Sequence, residues 1–196
     1  MRNIILAMAF AFLAITGDLF AGGNGEALSA ESTSARDAEI QAILSSIDIR
    51  TFESSIAAVE FGIPNLAGEQ ELLSEHRGEF VFLNFWATWC PPCREEMPSM
   101  ETLHQEMDGR AFAILAVNVR EDPRVVEDFV EDHGYQFPVL LDESGAVSTQ
   151  YGVRGIPTSY FISPEGRVLG MLVGTRYWDD PKIMDAMRSI AELSKE

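Results

Sequence analysis

The chain has 196 residues, 46% of them hydrophobic and 23% charged, which is enough for one domain with a full core and too few for two of ordinary size. Its formal net charge of −17 makes nucleic acid and anionic membrane surfaces unsuitable partners. The charge survives loss of residues 1 to 21, because Arg2 and Asp18 cancel.

At the start, Arg2 precedes an uninterrupted apolar run from Ile4 to Ile15. A bilayer span needs about 20 such residues, so the run has the proportions of a Sec-type secretory signal peptide. Residues 1–21 are expected to be cleaved after Leu19-Phe20-Ala21, which places the mature chain in the periplasm or another extracytoplasmic compartment; an uncleaved anchor or a buried helix is the alternative. Residues 22–50 read as a flexible leader, "GGNGEALSAESTS", followed by a short amphipathic helix. In that helix Ile40, Ile43, Leu44 and Ile47 recur at i, i+3, i+4 and i+7.

Residues 51–196 form the main domain. "FVFLNFW" (Phe80 to Trp86) is a strand, and a helix follows from Cys90 to Met107, with Met97, Met100, Leu103 and Met107 as its core stripe. "FAILAVNV" (Phe112 to Val119) is a buried strand. Asp122 to Gly134 is a helix with Pro123 in its first turn and Gly134 at its stop. Strand, helix, strand, helix makes a βαβ unit. "FPVLL", "TSYFIS" and "VLGMLV" are further strands, the last two joined in an antiparallel hairpin, and a helix from Asp179 to Leu193 closes the chain. The expected architecture is α/β: a central mixed sheet with helices on both faces and an N-terminal extension helix.

Both cysteines lie in one motif, Cys90-Pro-Pro-Cys93. A disulfide across so small a loop removes little entropy from the unfolded chain, so its value is chemical. Cys90, at a helix start, meets the positive end of the helix dipole and should be the more acidic, exposed thiol, a nucleophile. Cys93, one turn on, should be the screened, resolving thiol. Pro91 and Pro92 withhold N–H groups from the Cys90 sulfur, which weakens the thiolate and favours a reductant. No metal is expected, since His76, His104 and His133 form no zinc cluster with the cysteines. No cofactor is expected beyond the redox-active Cys90–Cys93 disulfide. Trp86 should cover the strand end, Trp89 should offer a flat docking surface, and Pro98 should kink the helix.

The stretch "LNFWATWCPPCREEMP", with "FGIPNLAGEQELL" and "VRGIPTSYFISPEGRVL", resembles the thioredoxin superfamily, and within it the exported TlpA/ResA-type thiol–disulfide oxidoreductases, which include the cytochrome c maturation reductases. The resemblance covers most of Phe61 to Leu193 and implies a thioredoxin-like fold over 51–196. It implies a cis peptide before Pro157, beside the sulfurs, with Ile156 offering main-chain groups to a target segment. Asn84 stands where cytoplasmic thioredoxins carry a buried aspartate. That departure moves the proton-handling role to Glu96, three residues after Cys93.

The candidate catalytic residues are thus Cys90, Cys93 and Glu96, and the candidate partner-binding residues are Trp89, Pro91, Pro92, Ile156 and Pro157. Implied partners are protein disulfides, with apocytochrome c among them, and a membrane thiol relay as electron donor; the oligomeric state is left open. A peroxiredoxin-like thiol peroxidase and a copper-binding module using the two thiolates are the alternatives.

Overall fold

The computed structural model describes residues 23–195; the expected signal peptide lies outside them. Contacts divide the chain into a first unit, Met1–Ser34, and a second, Ala35–Glu196. The described part of the first unit is helical and forms the opening turns of α1 (Gly23–Ser46). From Gly23 onward the stretch read as a flexible leader is therefore helix. Glu26, Ala27, Leu28, Ala30 and Glu31 are strong helix formers, and extending an existing helix gains one hydrogen bond per residue fixed.

In the second unit six strands run in the order β1-β8-β7-β4-β5-β6. Here β4 (Phe80–Trp86), β5 (Phe112–Val119) and β6 (Val139–Asp142) are parallel. On the other side of β4, β7 (Thr158–Ile162), β8 (Arg167–Val173) and β1 (Arg50–Ala57) continue in antiparallel fashion. Every residue of β4 is buried, as a central strand covered on both faces requires.

The two-residue period of β4 sorts its side chains between two cores. Phe80, Phe82 and Trp86 join the face covered by α1, α2 (Pro91–Glu106), α3 (Pro123–His133) and α5 (Pro181–Leu193). Val81, Leu83 and Phe85 join the opposite face with Leu73 of a 3-10 turn (Leu73–His76) and Val147 of α4 (Ala146–Gln150). A two-stranded hairpin of β2 (Gly62–Pro64) and β3 (Gln70–Leu72) precedes that turn. Asn84, in phase with Phe82 and Trp86, faces α2.

The helix starts follow their capping chemistry. Asp122 accepts from the Arg124 amide at 3.0 Å, with Pro123 next and Gly134 left-handed at φ 69 as the stop. Asp180 caps α5 by accepting from Lys182 N at 2.9 Å, with Pro181 at the first helical position.

Further features differ from expectation. The domain core begins before residue 51: Ile40, Leu44 and Ile47 are 0%, 0% and 2% exposed and belong to the same cluster as Phe82 and Trp178. β1 was not foreseen, because it is an edge strand with a register break between Thr51 and Ile56 and shows no clean alternation.

If the helix around Leu44 is part of the domain's core, Leu44→Ala should cost about 2–5 kcal/mol, the scale of a buried leucine truncation. Urea unfolding at constant pH measures this, and a loss under about 1 kcal/mol would show that the segment docks without contributing to the core.

Candidate active site

β4 ends at Trp86, and after a short turn Cys90 serves as the N-cap of α2, with Pro91 and Pro92 in its first turn. The turn is held from the end of β5. Glu121 accepts from the Thr88 amide at 2.7 Å, the Thr88 hydroxyl at 2.6 Å and Asn118 Nδ2 at 2.7 Å.

Cys90 and Cys93 are joined in a disulfide. The Cys93 N–H points at Cys90 Sγ from 3.3 Å. Since Pro91 and Pro92 have no N–H, this is the first amide of the helix able to do so. Cys90 is 3% exposed and Cys93 0%. The order of access is as expected, but Cys90 is not an exposed residue: the carbonyl of Ile156 lies 3.6 Å from its sulfur. The Ile156–Pro157 peptide is cis. Trp89, next to Cys90, stands 66% exposed.

Glu96 is completely buried, one turn along α2 from Cys93. Asn84 Nδ2 donates to its Oε1 at 2.9 Å and the Arg176 amide to its Oε2 at 3.2 Å. Burial pushes the carboxyl up from its ordinary value of 4.5 to about 7; the donors Asn84 and Arg176 pull the other way without prevailing. A carboxyl that titrates near neutrality can both accept and return a proton.

Asn84 also donates to Ser159 Oγ at 3.0 Å, while its own Oδ1 has no partner among the described residues. Half a turn of the amide exchanges Nδ2 and Oδ1. The same residue can therefore donate to a carboxylate or accept from a carboxylic acid, following the proton on Glu96.

The structure gathers Cys90, Cys93, Trp89, Pro91, Pro92, Ile156 and Pro157 around the disulfide, with Trp89, Pro91 and Pro92 exposed and Cys93 and Pro157 buried, and Glu96 lies one turn further along α2. Sequence reading missed the loop after β8. Thr175 Oγ1 donates to Pro92 O at 2.8 Å, Gly174 N to Pro157 O at 2.9 Å and Trp178 N to Ser99 Oγ at 2.9 Å. This loop closes over α2 and supplies one of the donors to Glu96. Its only sequence signal is the run Gly174 to Trp178 directly after a strand. Pro98 lies inside α2 as expected, and Met97, Met100 and Met107 are core residues.

Residues 56–171 match the model of the AhpC/TSA family. The chain is 41% identical over 125 residues to the thiol-disulfide oxidoreductase ResA of Geobacillus thermodenitrificans, covering 64% of this chain and 72% of that protein. Among solved structures it is similar to a thioredoxin-family thiol:disulfide interchange protein of Chlorobium tepidum, with a TM-score of 0.60, 27% identity, and 74% and 99% of the two chains covered. It is also similar to StoA of Bacillus subtilis, with a TM-score of 0.58, 26% identity, and 65% and 96% covered.

The raised carboxyl sets a sign for pH dependence. Between the ordinary value of 4.5 and about 7, the unfolded chain releases a proton that the folded chain keeps. Stability therefore falls as pH rises through that window, by about 3 kcal/mol in all at 1.36 kcal/mol per unit. Glu96→Gln should flatten this dependence and unfold at higher urea than the parent at pH 8; parallel curves for parent and variant from pH 5 to 8 would refute the assignment.

Proposed function

We propose that the chain, which belongs to the AhpC/TSA family and is a thioredoxin-like thiol–disulfide oxidoreductase, reduces protein disulfides outside the cytoplasm through the Cys90–Cys93 couple. The observation that carries this reading is the pairing of the two sulfurs at the start of α2 with a neutral-range carboxyl, Glu96, behind them.

In the reducing direction the Cys90 thiolate attacks one sulfur of a substrate disulfide. A Cys90–substrate bond forms, the substrate S–S bond breaks, and the departing sulfur takes a proton. Cys93 loses its proton to the Glu96 carboxylate and attacks Cys90 Sγ; the mixed disulfide breaks, and the second substrate sulfur leaves and is protonated. Two electrons have passed from the enzyme dithiol to the substrate, and a dithiol donor, read as a membrane thiol relay, restores the enzyme.

Direction follows from what the site withholds. Pro91 and Pro92 offer no N–H to the Cys90 sulfur, and a carboxylate one turn away disfavours a second negative charge. Both raise the energy of the thiolate, and a dithiol whose thiolate is poorly stabilised gives up electrons readily. Protein disulfides are the substrate class, with the haem-attachment cysteines of an apocytochrome c as the first to try. Export rests on the Arg2 and Ile4 to Ile15 pattern. No helix among the described residues is long and apolar enough to cross a membrane.

Cys90→Ser should abolish disulfide reduction, and Cys93→Ser should accumulate a Cys90–substrate mixed disulfide visible on a non-reducing gel. Equilibration with dithiothreitol should give a potential near −270 mV or below. A value near −120 mV, that of a strong oxidant, would overturn the reducing direction.

A further inference from the structure

A cleft of about 290 Å³ begins at Trp89 and Ile156, the residues flanking the Cys90 sulfur, and runs between Val119, Val153, Arg120 and Arg154. At the lower edge of the usual range for small-molecule sites, it has room for one or two side chains of an extended segment. Its charge is opposite to that of the chain, which carries 31 acidic and 14 basic residues.

Neither arginine makes an ion pair among the described residues, whereas Arg77, Arg110, Arg167 and Arg188 all do. Arg120 donates to the hydroxyl of Thr149 at 3.4 Å. Of the carboxylates near them in the chain, Glu121 is engaged by Thr88 and Asn118, Asp122 by Arg124, and Asp142 by the amides of Val147 and Ser148, and the exposed Glu143 is not among the residues that line the cleft.

Arg120 is also held in place. Its backbone is left-handed at φ 60, a region few non-glycine residues adopt, and its amide donates to Asp142 O at 3.0 Å. Its side chain crosses Gly145, where a Cβ would collide with the guanidinium. Two cations without carboxylate partners among the described residues, one of them fixed by its backbone, line the wall next to the reacting sulfur.

We propose that this cleft seats the segment of a protein substrate that flanks its reacting cysteine, and that Arg120 and Arg154 select an aspartate or glutamate side chain there. The inference rests on the protein-disulfide reductase reading and narrows its substrate class.

The test uses the reduced chain and three short peptides, each closed by one disulfide and differing only in the residue beside the first cysteine: Glu, Ala or Lys. The chain's overall charge draws the lysine peptide at long range, so a preference for the glutamate peptide must come from the cleft. The glutamate peptide should be reduced about twofold to fivefold faster than the lysine peptide at low salt, a ratio on the scale of exposed ion pairs. The ratio should approach unity at 1 M salt, where screening acts over about 3 Å.

Arg154→Glu should reverse the order, and Arg120→Gln should narrow it. Equal rates for the glutamate and lysine peptides, or an unchanged order in Arg154→Glu, would overturn the selectivity and leave the reductase reading standing. Reduction of none of the peptides, by a chain whose Cys90–Cys93 couple still cycles with dithiothreitol, would overturn both.

Discussion

The burial of one carboxyl group organises this site. Glu96 has no exposed surface, and a buried polar group must be hydrogen-bonded or destabilise the fold. Its partners come from separate elements: Asn84 from β4, with Ser159 of β7 behind it, and the Arg176 amide from the loop after β8. That loop is fixed in turn by Thr175 on Pro92 and by the Trp178 amide on Ser99, both within α2. The elements that close around the carboxyl are therefore the ones that frame the two sulfurs. Satisfying Glu96 and aligning α2 against the cis peptide at Pro157 are the same structural requirement.

Much of the fold was legible because the sheet is central and apolar. Phe80 to Trp86 and Phe112 to Val119 occupy the stretches that composition marks, since strands covered on both faces read as continuous apolar runs. β1 is an edge strand facing partly to solvent, and α4 has five residues, too few for a helical period to appear. The helical opening of α1 was illegible for a different reason: small and polar residues read alike in a leader and in a helix whose later turns supply its nucleus.

At the site, Cys90, Cys93 and the cis peptide at Pro157 were written into motifs, and the depth of Glu96 was not. Glu95 and Glu96 are adjacent, yet Glu95 is exposed and Glu96 is buried. Helical phase separates them. Cys93, Glu96, Met100 and Leu103 share the buried stripe of α2, so position 96 lies on the core side and position 95 on the outer one. Reading Met97, Met100, Leu103 and Met107 as the stripe left a glutamate on its edge, and only the facing strand, with Asn84 in phase with Phe82 and Trp86, decides that the edge is closed. The donors from residues 174 to 178 were beyond reach, because they depend on where a loop lands.

The net charge conceals a similar effect of tertiary arrangement. A total of −17 describes the field far from the molecule, where it sets solubility and long-range attraction. At contact distance the field depends on which charges are already matched. Near the disulfide Glu121 is taken up by Thr88 and Asn118 and Glu96 by Asn84 and a main-chain amide, Glu95 lies on the outer side of α2, and Arg120 and Arg154 face the cleft. The two strand-end loops that carry these arginines lie 34 positions apart in sequence, so no local window contains both. The cleft wall beside the sulfurs is thus more cationic than the chain's composition implies, and an approaching segment responds to that local field once it lies within a Debye length of about 10 Å at 0.1 M salt.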